Sequence, residues 1–140
     1  MLVSTKGRYA LRVMLELCQQ EEGAYVRLDA IAQSQGISEK YLESIVSILV
    51  KGKLVEGLRG RGGGYRLTRA PEDYSVGEIL QLTEGSLAPV SCLEENCSPC
   101  GRAEHCLTRP MWQKLDHMIA DYLNHVRLSD LLSGGENAPS

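Results

Sequence analysis

Leu28-Asp-Ala-Ile-Ala-Gln-Ser-Gln-Gly36-Ile-Ser38-Glu-Lys-Tyr-Leu-Glu-Ser-Ile-Val-Ser-Ile-Leu-Val-Lys51 is the stretch on which the fold turns. Its first part predicts a short helix at about Leu28 to Ser34, with Leu28, Ile31 and Ala32 facing inward. Gly36-Ile37-Ser38 then makes a tight turn. The glycine supplies a permissive backbone, the isoleucine plugs the core, and the serine stands where it can accept from the amides of a new helix. That helix, about Glu39 to Lys51, repeats apolar residues at Leu42, Ile45, Val46, Leu49 and Val50, and Gly52 falls where it should end. Lys53 to Glu56 and Gly64 to Thr68 predict two short strands joined by Gly57-Leu-Arg-Gly-Arg-Gly-Gly63. Two helices across a short turn containing glycine, followed by a hairpin, form a winged helix-turn-helix.

Upstream, Ser4 or Thr5 can cap a first helix running to about Cys18, with Ala10, Val13, Met14 and Leu17 on one face. Downstream, Pro71 ends the wing unit, and Ser75-Val-Gly-Glu78 is a capping-box pattern opening a helix to about Glu84. A loop from Gly85 to about Leu107 follows. Thr108-Arg-Pro110 starts a last long helix, whose stripe is Met111, Leu115, Met118, Ile119, Tyr122 and Val126 and which fades near Leu128. Ser129 to Leu132 predicts one more turn, and Gly134 to Ser140 a frayed tail. The expected fold class is mainly α with a small β-wing: a winged helix-turn-helix domain plus a long C-terminal helix.

A chain of 140 residues accommodates one compact domain and a small extension. With no Phe, its core must be built from Leu, Ile, Val, Ala, Met and Tyr. No apolar run approaches the ~20 residues of a membrane span, and the N-terminus has no secretory apolar segment. The expected location is cytoplasmic, where thiols stay reduced, so five Cys point to metal or redox chemistry before disulfides.

The net charge of −3 hides an asymmetry. Residues 1–70 carry 11 Lys and Arg against 7 Asp and Glu, a net of +4, and residues 71–140 carry 4 against 11, a net of −7. A basic N-terminal half suits a polyanionic partner. With its apolar stripe inward, the second helix of the motif presents Lys40, Glu43, Ser44 and Ser47, with Tyr41 at the edge of that face. Short polar side chains there can reach base edges in a major groove, and Lys40 can neutralise phosphates. Glu43 would be repelled by DNA unless it accepts from a cytosine amine, which makes it a specificity candidate; a solvated surface acid is the plainer alternative. In Arg59-Gly60-Arg61-Gly-Gly-Gly-Tyr65, glycines permit close approach of the backbone, and two arginines at a hairpin tip suit phosphates or a narrow minor groove. A nucleotide-cradling loop would need Gly-Lys-Ser/Thr and then a helix, whereas Tyr-Arg-Leu-Thr follows here. No catalytic Ser/His/Asp arrangement is visible, so the sequence predicts a regulator rather than an enzyme.

Cys92-x4-Cys97-x2-Cys100-x5-Cys106 lies in the loop between two helices, and Cys18 stands apart on the core face of the first helix as a small buried apolar residue. Three chemistries fit the cluster. An iron–sulfur cluster tolerates irregular loop spacing, structural zinc prefers two short knuckles where only Cys97 and Cys100 form one, and a thiol switch needs only two of the cysteines. Spacing leaves all three open.

The opening Ser-Thr-Lys-Gly-Arg-Tyr-Ala, Ile37-Ser-Glu-Lys-Tyr-Leu-Glu and Arg59-Gly-Arg-Gly-Gly-Gly-Tyr resemble the iron–sulfur cluster regulator (IscR) family, the cluster-binding branch of the Rrf-type winged-helix repressors. Ser75-Val-Gly-Glu-Ile, Cys100-Gly-Arg-Ala-Glu-His-Cys106 and Leu107-Thr-Arg-Pro-Met-Trp112 carry the same resemblance, which covers essentially residues 1–131. It implies a homodimer joined mainly through the long C-terminal helix and bound to a pseudo-palindromic double-stranded DNA operator. It adds Thr5, Lys6, Ser38 and Gly60 to the DNA-contacting set of Lys40, Tyr41, Glu43, Ser44, Arg59 and Arg61. It implies a cluster, [2Fe-2S] in preference to [4Fe-4S], on Cys92, Cys100 and Cys106. The chain departs from the family where some members place a histidine three residues after the last cysteine, since Arg109 stands there. Cys97 is then the first candidate for a fourth ligand and His105 the second, with a ligand from elsewhere in the dimer a further option, while His117 and His125 fit ordinary helix positions.

The expected organisation is a DNA-binding unit over 1–70, a linker helix and cysteine-rich loop over 71–107, a dimerisation helix over 108–131 and a tail over 132–140. The competing functions are a winged-helix regulator using the same cysteines as a zinc or thiol sensor, an iron–sulfur carrier, and a protein-binding winged helix.

Overall fold

The computed structural model describes residues 3–90, 93 and 106–134. Helix α1 (Thr5–Cys18) begins at Ser4, whose hydroxyl accepts from the amide of Gly7, and buries Ala10, Val13, Met14 and Leu17. Helix α2 (Leu28–Gln35) ends on Gly36 in the left-handed conformation, and α3 (Glu39–Lys51) begins at Ser38, whose hydroxyl accepts from the amide of Tyr41. Both devices were legible in Gly36-Ile37-Ser38.

Leu42, Ile45, Val46 and Leu49 of α3 are buried, but Val50 is exposed, contrary to its place in the expected stripe. Eight residues beyond Leu42, it has rotated roughly 80° off the seam at 3.6 residues per turn. The wing is an antiparallel pair, β1 (Val55–Leu58) and β2 (Gly64–Leu67), in register from Val55 opposite Leu67 to Leu58 opposite Gly64. Strand β1 therefore starts two residues later than the sequence suggests. Lys53 occupies the left-handed region at φ 62°, so the chain is still turning there.

A 3-10 turn (Pro71–Asp73) leads into α4 (Val76–Glu84), which opens with the anticipated capping box between Ser75 and Glu78. Helix α5 (Arg109–His125) carries Pro110 in its first turn and stops at His125, and α6 (Leu128–Leu132) is a single turn. A break at Val126 and Arg127 separates them: Val126 takes an extended backbone, and Ser75 forms a bridge with Arg127. One core unites α1, α2 and α3 with Tyr74, Ile79 and Leu128. A smaller cluster holds Val76, Leu80, Leu87 and Val126, with Ile119 and Leu123 packed on it. Among the described residues, no helix is long and apolar enough to cross a membrane.

Candidate nucleic-acid interface and cysteine region

Burial of its apolar seam fixes which side of α3 faces outward. Lys40, Glu43, Ser44 and Ser47 are exposed, as is Ser38 at the helix start. Tyr41 is half-buried, its ring edge-on to Tyr9 at 6.1 Å and 79°, so the phenol is held at the rim of this face. Tyr9 was not singled out from the sequence. It lies on α1, between the residues that face the core, and only the tertiary contact reveals what it does. The hydroxyl of Ser44 donates to the carbonyl of Tyr41 at 2.6 Å. That bond leaves its oxygen lone pairs free to accept.

At the wing tip, Arg59 and Arg61 are exposed, and Gly60 turns the chain at φ 97° to accept from the amide of Gly63 at 3.0 Å. Gly64 is required for a different reason. Its φ is 148°, and a Cβ there would lie 2.3 Å from the carbonyl oxygen of Val26, where Tyr65 and Val26 exchange two backbone hydrogen bonds of 2.8 Å. The third arginine of the wing has other work. Arg66 pairs with Glu56, which raises its pKa further, donates to the carbonyl of Gly23 at 3.1 Å, and stacks 4.4 Å from the ring centroid of Tyr25. It is a strut between the wing and the α1–α2 loop, whereas Arg59 and Arg61 have no ion-pair partner among the described residues.

Thr5 is exposed and Lys6 half-buried at the start of α1. This end is anchored from α4: the carboxylate of Glu84 accepts from the amide of Ser4 at 3.0 Å and from its hydroxyl at 2.7 Å. A carboxylate there also suits the positive end of the helix. Nothing local in the sequence announces this role of Glu84, whose partner is 80 positions away.

Of the cysteine-region candidates, Cys106 is described, and Cys92, Cys97, Cys100 and His105 lie outside the described residues. Cys106 is half-exposed three residues before α5. Its thiol is pushed below the ordinary range by the Thr108 hydroxyl at 3.4 Å, by the Thr108 and Arg109 backbone and by the Arg109 charge. Cys18 is the opposite case, half-buried against the core and pushed up to about 11 by burial. His117 is exposed on α5, and His125 sits 2.6 Å from the carbonyl of Asp121 on the same helix. Among the described residues, no three His, Cys, Asp or Glu side chains converge on a metal-sized site.

Comparison with known proteins agrees with this architecture. Residues 3–134 match the Rrf2 family, described as iron-dependent transcriptional regulators. The HTH-type transcriptional regulator IscR of Erwinia tasmaniensis is 36% identical over 136 residues, spanning 97% of this chain and 81% of that protein. Among solved structures, CymR (YrzC), the global cysteine regulator of B. subtilis, superposes with a TM-score of 0.78 at 35% identity over 96% of this chain and 98% of that one. T. potens IscR superposes with a TM-score of 0.75 at 34% identity over 100% of this chain and 92% of that one. A winged helix built on a basic half, matched along nearly its whole length by transcriptional regulators, is not an enzyme: the chain belongs to the Rrf2 family of transcriptional regulators.

Proposed function

We propose that the chain binds a double-stranded operator as a homodimer, and that an iron–sulfur cluster on the cysteine-rich segment sets its affinity. The observation that carries the DNA half is the exposed polar face of α3 standing beside a wing whose two exposed tip arginines have no ion-pair partner among the described residues. In this reading α3 lies in the major groove. Lys40 meets phosphate, Glu43 accepts from a cytosine amine, and Tyr41 and Ser44 contact bases or backbone. Arg59 and Arg61 reach phosphate or the minor groove, which Gly60 lets the chain approach closely. Thr5, Lys6 and Ser38, at the starts of α1 and α3, meet the sugar–phosphate backbone. Two-fold symmetry would set the α3 helices about 34–36 Å apart, one turn of DNA.

Met111, Leu115, Met118 and Tyr122 support the homodimer, because all four are exposed along one side of α5. For the cluster, the fit rests on Cys106: a half-exposed thiol beside the Thr108 hydroxyl and the Arg109 charge, its pKa lowered by both, is a suitable donor for iron. Cys92 and Cys100 would complete the matched set, with Cys97 or, second, His105 as fourth ligand. When bound, a cluster of this kind, [2Fe-2S] in preference to [4Fe-4S], supplies a charge and redox state that vary with oxidant and iron supply. What the chain's residues contribute is the coupling of this segment to α5, three residues beyond Cys106.

The test is an anaerobic preparation with an absorption spectrum and counts of iron and acid-labile sulfide, followed by operator titrations of the loaded and stripped forms. Absence of iron and sulfide even after reconstitution removes the cluster. The lowered Cys106 pKa also favours a second reading, in which the same cysteines act as a thiol or zinc sensor. Metal analysis before and after mild oxidation separates the two.

A further inference from the structure

We infer that Tyr74 is a positioning residue for operator binding, fixing the wing against the recognition helix. It rests on the DNA-binding reading above. A two-stranded hairpin has little stability of its own, so the direction in which it points depends on what holds its base. Here one buried hydroxyl bonds to both legs of the base at once. Tyr74 is fully buried, and its hydroxyl donates to the carbonyl of Leu54 at 2.7 Å while accepting from the amides of Thr68 and Arg69, each at 2.9 Å. Leu54 lies where the chain passes from α3 into β1, and Thr68 and Arg69 lie where it leaves β2. The same oxygen therefore grips both legs of the wing just below the last ladder pair, Val55 opposite Leu67. The Thr68 hydroxyl reinforces this point by donating to the carbonyl of Lys53 at 2.8 Å.

The phenol is held from outside the wing. The Tyr74 carbonyl accepts from the amide of Leu128 at 3.2 Å, and two residues on the Val76 amide donates to Val126 at 2.9 Å. Tyr74 thus joins the wing base to the α5–α6 break and the start of α4. A phenylalanine at this position would keep the packing and lose the grip, leaving the Arg69 amide without its acceptor and the Leu54 carbonyl with only the longer contacts from the Thr68 amide at 3.4 Å and hydroxyl at 3.3 Å.

The experiment compares operator titrations at fixed salt for wild type, Tyr74→Phe, Arg59→Ala and the double variant, with circular dichroism to verify folding. Tyr74→Phe is expected to weaken binding roughly 3- to 10-fold with helix content retained. In the Arg59→Ala background it should cost measurably less than in the wild type, because one of the two tip contacts it would misplace is already gone. Unchanged affinity, or the same loss in both backgrounds, overturns the inference. If Tyr74→Phe fails to fold, hydrogen exchange on the wild type decides. Arg69 is exposed and outside the ladder, so slow exchange of its amide upholds the phenol bond and exchange at the open-chain rate refutes it. A wild type that binds no DNA at any salt defeats the functional reading itself. A binding wild type with an indifferent Tyr74→Phe defeats only this inference.

Discussion

Helices α3 and α5 are both amphipathic, yet α3 buries four residues of its stripe and α5 none within its bounds, Val126 being buried only at the break beyond it. On α5, Met118 is 60% exposed, Met111 54%, Tyr122 47% and Leu115 37%, while Ile119 and Leu123 alone lean on the smaller core. The spacing within that exposed row is four, three and four residues, the step of a coiled-coil seam. The difference teaches that periodicity identifies a face needing cover and is silent about what covers it. For α3 the cover is α1 and the rest of the chain; for α5 the proposed cover is the same face of a second copy.

The largest expected effect tests the α3 side. Ile45 is fully buried in the main core, so Ile45→Ala should cost about 2–5 kcal/mol of folding stability, read as a lowered urea midpoint. Next comes the matched change on α5. Met118→Glu should leave the folding of the single chain nearly unaltered, yet weaken self-association by about 30-fold or more, roughly 2 kcal/mol, in sedimentation at graded concentrations. An unfolded variant, or one that associates as before, would break the contrast between the two helices. Arg59→Ala follows. The tip arginine has no ion pair to lose among the described residues, so stability should hold while operator affinity falls by about 1–3 kcal/mol in a titration at fixed salt.

The α1-to-wing half was largely legible because its determinants are local. The seam of α3, the hydroxyl of Ser38 and the left-handed Gly36 lie within a few residues of what they control. Two local details escaped: Val50, at the ragged end of the seam, and the start of β1, delayed by the turn at Lys53. The residues that hold the site together were the less visible ones. Tyr74 reaches backbone groups 6 and 20 positions away, and Glu84 reaches Ser4 across 80. Backbone amides and carbonyls carry no residue identity, so no pattern of side chains announces such partners. Close packing is hidden in the same way: a Cβ on Gly77 would lie 2.1 Å from the side-chain oxygen of Asn124, and nothing in Ser75-Val-Gly-Glu78 points to α5. For the cysteine region, spacing offered candidate donors but left iron, zinc and thiol chemistry open, and among the described residues Cys106 alone adds a geometric argument.

The smallest expected effect sharpens the contrast at the level of thiols. Cys18 packs against the core of α1 and is pushed up to about 11 from an ordinary 9.0, whereas Cys106 is held below its ordinary range. Because the Cys18 pKa is raised in the folded state, the folded chain keeps this proton at a pH where the unfolded chain releases it. Its contribution to stability is therefore complete below about pH 9 and is lost as pH climbs through about 11. Other groups, including the tyrosines, titrate in the same window, so the informative quantity is a difference between two chains. Between about pH 8 and pH 10.5, the urea midpoint of the wild type should fall further than that of Cys18→Ala, which has no thiol to ionise. Parallel decline of the two midpoints would mean that Cys18 ionises as freely folded as unfolded. The distinction between a packing thiol on α1 and a chemically poised one ahead of α5 would then be lost.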